Sequence, residues 1–147
     1  MKIRVFLGGT CAGTKWRDNI IPELKKKGIE YFNPVVSDWT PDCQIKEELE
    51  KEICNIHLYL VTPQMKGVYS IAEIIDSVYR HLNTENKGCV IGFLGTKEDW
   101  GESMWRSLDA TMNLIHKISG DSKNIRASWI DKDLDIIKLI EDVEFRD

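Results

Sequence analysis

The stretch from Ile56 to Arg80, IHLYLVTPQMKGVYSIAEIIDSVYR, holds the glutamate best positioned for chemistry. Its apolar run, Ile56 to Val61, has the length of a buried strand and is too short for a membrane span. Thr62, Pro63 and Gly67 then break the pattern. From Tyr69 a helical period begins, with Ile71, Ile74, Ile75 and Val78 at i, i+3, i+4 and i+7. Glu73 therefore falls in the first turn of a helix, above the carboxyl end of a central strand. Open α/β sheets bind their ligands there, and a carboxylate so placed can serve as a nucleophile. A plainer reading competes with it. Ser70 with Glu73 three residues later has the spacing of a capping box, in which the carboxylate only satisfies a helix start.

Other reactive types are weaker candidates. The turn Gly8-Gly9-Thr10-Cys11-Ala12-Gly13-Thr14 nearly spells a phosphate loop, but Thr14-Lys15 reverses the required Lys-Ser/Thr order. No aspartate ends the third strand to hold a metal, and the glycines do not space as a dinucleotide fingerprint. The turn still offers backbone N–H groups to an anion or to sugar hydroxyls. Cys11 has no histidine near it in sequence. His57, inside the apolar strand, reads as a satisfied core histidine.

These residues need a scaffold, and the chain alternates strand and helix about five times. Strands are expected at Lys2 to Leu7, Glu30 to Asn33, Ile56 to Val61, Cys89 to Leu94 and Asn124 to Trp129. Helices are expected from Trp16 to Lys27, with Pro22 as a kink, and from Asp42 as cap to Cys54 through Ile45, Leu49 and Ile53. Three more follow, from Ser70, from Ser103 to Ile118, and from Asp131 as cap. This predicts a flavodoxin-like α/β sandwich, a five-stranded parallel sheet of order 2-1-3-4-5, in one domain over residues 1–147. The loops after the first four strands then converge on one edge, carrying Gly8, Gly9, Thr10, Trp16, Asn33, Asp38, Trp39, Tyr69, Glu73, Asp99 and Trp100. Carboxylates among aromatics fit a small polar ligand with a flat ring, stacked on Trp39 or Trp100.

Composition excludes several classes. With 147 residues, 42% hydrophobic and 30% charged, the chain suits one globular core. A net charge of -4 without a basic block gives no footprint for nucleic acid. No apolar run reaches membrane length, and the opening MKIRVFLGG lacks a signal-peptide core, so no membrane association is expected. Cys11, Cys43, Cys54 and Cys89 form no CxxC pair, and the three histidines are scattered. Neither a metal nor another cofactor is expected, and free thiols fit a reducing cytoplasm.

Taken together, VFLGGT…WRDNIIPEL, YFNPVVSDWTPD, CNIHLYLVTPQMKGVYSIAEIIDS and CVIGFL resemble the nucleoside 2-deoxyribosyltransferase-like family, over roughly Ile3 to Leu94. The resemblance implies a covalent deoxyribosyl intermediate on Glu73, passed to another base or to water. It implies a nucleoside or nucleotide ligand and a homo-oligomer in which a neighbouring subunit completes the site. Family transferases carry two aspartates where this chain has Asn55 and Gly67. Asn55 and Ser70 join the substrate-binding candidates. Asp38 and then Asp99 are the expected substitutes for the missing acid. Loss of both family aspartates also leaves open a non-catalytic module that binds a nucleotide or an ADP-ribose-like signal.

Overall fold

A computed structural model describes residues 1–11 and 13–147 of the chain; Ala12, within the expected glycine turn, lies outside the described residues. Five strands, β1 (Arg4–Gly9), β2 (Glu30–Phe32), β3 (Ile56–Val61), β4 (Gly88–Leu94) and β5 (Ile125–Ile130), form one sheet. All neighbours are parallel, in the order β2-β1-β3-β4-β5 expected of a flavodoxin-like fold. The helices are α1 (Trp16–Lys26), α2 (Pro41–Ile53), α3 (Tyr69–His81), α4 (Lys97–Trp100), α5 (Glu102–Ser119) and α6 (Ile136–Glu141).

Successive strand side chains point to opposite faces, and each face makes its own core. On one, Val5, Leu7, Leu58 and Leu60 pack with Trp16, Ile20 and Leu24 of α1 and with Ile136 and Ile140 of α6. On the other, Tyr59, Val61, Ile91 and Phe93 pack with Ile74 and Val78 of α3 and with Leu108, Met112 and Ile115 of α5. Every residue of β3 is buried, because helices cover both of its faces. His57 is the polar member of that strand, and it is buried with partners for both ring nitrogens.

The helix starts differ from the sequence expectation in three places. Helix α2 takes Thr40 as its N-cap with Pro41 at the first helical position, so Asp42 sits inside the helix. Helix α3 begins at Tyr69 with Val68 at the cap, and no side chain caps it. Ser70 is thus already helical and cannot act as the cap. A 3-10 turn, Asp133–Asp135, precedes α6, and Asp135, not Asp131, accepts the N–H of Lys132 at 3.0 Å. The expected loop after β4 holds a further short helix, α4, closed by a true capping box between Thr96 and Asp99. Helix α1 runs unbroken across Pro22.

Candidate active site

The site starts from two glycines that end β1. In the β1–β3 register Gly8 lies beside Tyr59 and Gly9 beside Leu60. A Cβ on Gly8 would come within 2.7 Å of the Tyr59 ring, and one on Gly9 within 2.2 Å of the Leu60 carbonyl oxygen. Gly9 also has a φ of 113°, a region that favours glycine. The chain then turns through Thr10, whose N–H donates to Leu60 O at 3.0 Å and whose hydroxyl accepts from the N–H of Thr62 at 3.0 Å.

Trp16 and Arg17, at the start of α1, brace this turn from beneath. The buried Trp16 indole donates to Thr10 O at 2.9 Å. Arg17 is buried as well, and its guanidinium donates to the carbonyls of Leu7 at 3.0 Å, Thr10 at 2.8 Å and Gly9 at 3.3 Å. Burial holds its pKa below the usual arginine value, with the neighbouring Cys11 and Asp18 opposing that shift. These two residues hold the glycine turn; Trp16 is not on a ligand surface.

Above the turn a cleft of about 370 Å³ opens at the carboxyl edge of β1. Phe6, Gly8, Gly9, Cys11 and Arg17 line one side, and Pro34 and Trp39 come from the loop after β2. Gln44, Glu47, Glu48 and Lys51 reach in from α2, and Tyr69 and Glu73 from α3. The volume lies within the range of small-molecule sites. Glu73 makes no capping bond; its Oε2 accepts from Lys51 Nζ at 2.7 Å. That pair is partly buried, with side chains 19% and 31% exposed for Glu73 and Lys51. The Lys51 ammonium also lies 5.4 Å from the centre of the Phe6 ring. The capping-box reading of Glu73 is therefore replaced by an ion pair across two helices.

Behind the pair a hydrogen-bond chain fixes Lys51. A backbone carbonyl can only accept, so His57 must carry its proton on Nε2 and donate to Lys51 O at 2.6 Å. Its Nδ1 then accepts from Ser77 Oγ at 3.4 Å, which in turn meets Tyr59 Oη at 2.9 Å. Burial, with a smaller contribution from the adjacent His81, lowers the His57 pKa to about 3, so the ring stays neutral in this role. A second, larger cavity of about 930 Å³ runs along α3 past His57 and His81 and shares Glu48, Lys51, Tyr69 and Glu73 with the cleft.

Of the expected site residues, Gly8, Gly9, Trp39, Tyr69 and Glu73 meet in the cleft. Others are elsewhere. Asn33 accepts from the N–H of Val35 at 3.1 Å, an Asx turn that shapes the loop. Asn55 precedes β3, at the edge of the sheet opposite the cleft, and accepts from the N–H of Arg4 at 2.9 Å. Asp38 is exposed and does not line the cleft. Asp99 is engaged by its own helix, accepting from the N–H of Thr96 at 2.8 Å. Trp100 donates to Leu94 O at 2.8 Å and packs half-buried against the α3–α5 core. Thr10 and Ser70 lie next to the cleft without lining it. Sequence reasoning passed over Glu47, Lys51 and Arg17. Glu47 and Lys51 sit in a mixed-charge run that reads as a solvated helix face, and only their i, i+4 spacing hints at a shared side.

A family model described as nucleoside 2-deoxyribosyltransferase like matches residues 2–80. Every residue of the cleft falls inside that span. No curated protein matches the chain. No helix among the described residues is long and apolar enough to cross a membrane.

Proposed function

The chain belongs to the nucleoside 2-deoxyribosyltransferase-like family, and from that premise we propose that it cleaves the N-glycosidic bond of a nucleoside or nucleotide through a covalent intermediate on Glu73. The observation that carries the reading is the state of Glu73. It is free of any capping duty, lines the cleft and faces a cation, Lys51, at 2.7 Å. A carboxylate oxygen of Glu73 attacks C1′ of the sugar. The C1′–N bond breaks, its electron pair goes to the base, and the base takes a proton. An incoming base or water then attacks C1′, loses a proton, and releases the Glu73 carboxylate. Trp39, 61% exposed, and Tyr69, 74% exposed, offer flat faces to a base, with stacking worth about 1–3 kcal/mol. Gly8 and Gly9 bring the end of β1 against β3 and into the wall of the cleft. On this reading the protein works in the cytoplasm as a homo-oligomer.

One observation favours a second reading, a module that binds a nucleotide without turning it over. Neither Asp38 nor Asp99 lines the cleft, so neither expected acid is at hand to protonate the base. A panel of deoxynucleosides, ribonucleosides and their monophosphates, scored for free base by chromatography, separates the two. Release of base by wild-type protein and its loss in Glu73→Gln supports the glycosidic reading, with a deoxyribosyl mass adduct on wild type alone. Binding without release across the panel supports the module. A Gln variant with wild-type turnover removes Glu73 as nucleophile.

A further inference from the structure

We propose that Glu47, on α2, is the proton donor to the departing base. The proposal rests on the glycosidic reading above and supplies the acid that reading lacks. Glu47 stands one helical turn before Lys51, and i, i+4 residues share a helix face. Both line the cleft together with Glu73. The cleft has three carboxyl groups, Glu47, Glu48 and Glu73. Glu73 holds the only ammonium among the residues of the cleft, Lys51. Glu48 is exposed, whereas Glu47 is half-buried. The nearby acid Glu50 is committed to Arg4, at 2.8 and 2.9 Å.

A general acid must hold its proton until the bond breaks, and two carboxyl groups in one cleft divide the roles when their surroundings differ. Glu73 faces the ammonium and suits the attacking role. Among the described residues Glu47 has no ion-pair partner in the cleft, and it is half-buried. Partial burial is what raises its pKa above the usual carboxylate range; Lys51 opposes the rise, and the Glu73 charge makes a smaller contribution to it. The other titratable or charged groups lining the cleft are Cys11, Arg17, Glu48 and Tyr69.

The step balances. As Glu73 bonds to C1′, the C1′–N pair moves into the base, and the base nitrogen takes the Glu47 proton. In the second half the Glu47 carboxylate takes a proton from the incoming water or base N–H, while the C1′–O bond to Glu73 breaks. Both carboxyl groups return to their starting states.

The test compares Glu47→Gln with wild type on 2′-deoxyguanosine and other unmodified deoxynucleosides and on 7-methyl-2′-deoxyguanosine. The methylated base is already cationic and leaves without a proton. We expect Glu47→Gln to lower kcat/KM on accepted unmodified substrates by roughly 10²–10⁴-fold, to leave the methylated substrate within a few-fold, and to lose the alkaline limb of the pH–rate profile. Glu73→Gln should lose both substrates. Equal losses on the two substrates, no loss on either, or a retained alkaline limb would overturn the Glu47 assignment while leaving Glu73 in place. Wild-type protein that releases base from neither kind of substrate overturns the glycosidic reading itself, and this proposal with it.

Discussion

Arg17 illustrates how a charged side chain at the edge of the cleft can serve the site through the backbone it holds. Three carbonyls, of Leu7, Gly9 and Thr10, converge on one buried guanidinium. Methionine would fill similar space but leave the Leu7 carbonyl without this donor, while Thr10 O keeps the Trp16 indole and Gly9 O keeps only the weak Cys11 thiol. Arg17→Met should therefore lower unfolding stability by about 2–4 kcal/mol, read from urea denaturation, since each orphaned buried acceptor costs about 1–3 kcal/mol. An unchanged midpoint would show that the turn holds itself. At this scale the sequence was legible only in part. Glu73 stood out because a strand, a break and a helical period bracket it. Trp16 looked like a residue of the binding edge because a ring's burial depends on what packs over it. Glu47 and Lys51 were hidden because their partner, Glu73, is more than twenty residues away along the chain, and a run of alternating charges carries no mark of the face that turns inward.

Among the elements, α2 is the one whose pattern misled. Its apolar positions Ile45, Leu49 and Ile53 are 65%, 54% and 52% exposed, and the helix has no fully buried residue. The period was right and the face was wrong, because polar ties decide how the helix lies. Arg4 grips Glu50 with two bonds, Lys51 holds Glu73, His57 holds Lys51 O, and Lys87 reaches the carbonyls of Glu52 and Cys54 at the carboxyl end. A helix fastened this way opens apart from the core. Hydrogen exchange should find α2 amides opening at least tenfold more readily than those of β3 or α3, with the gap widening in added salt. Equal protection of α2 and β3 would contradict this. The strands were more legible than the caps. Each strand is an apolar run between breakers, whereas a cap moves with a shift of one or two residues in the helix start, as Val68 in place of Ser70 shows.

For the whole molecule, alternation was enough to predict a parallel sheet covered on both faces, and the family resemblance accorded with the order 2-1-3-4-5. Acid stability does not follow from alternation, because it depends on a contact between β3 and α3. His57 and His81 meet edge to face, with ring centres 4.3 Å apart. Burial is the first cause in both, lowering His57 to about 3 and His81 to about 4. In the unfolded chain both take up protons near pH 6.5. Between that pH and about 4 the unfolded state therefore binds more protons, and stability falls as pH falls. The urea midpoint should be flat between about pH 7 and 8 and drop between pH 6.5 and 4, with a slope approaching two protons. His57→Gln should bring that slope near one. A midpoint independent of pH in that window would contradict the buried-neutral state of the pair.

The cleft draws on nothing beyond Glu73, and the larger cavity beside it on nothing beyond Lys87. Strands β4 and β5 and helices α4 to α6 contribute packing and no wall of either cavity. Within one chain, then, the first part of the sequence is answerable to the ligand and the last sixty or so residues to the sheet. For the wall of its own cleft, a substitution after Lys87 matters only through the volume and period it keeps.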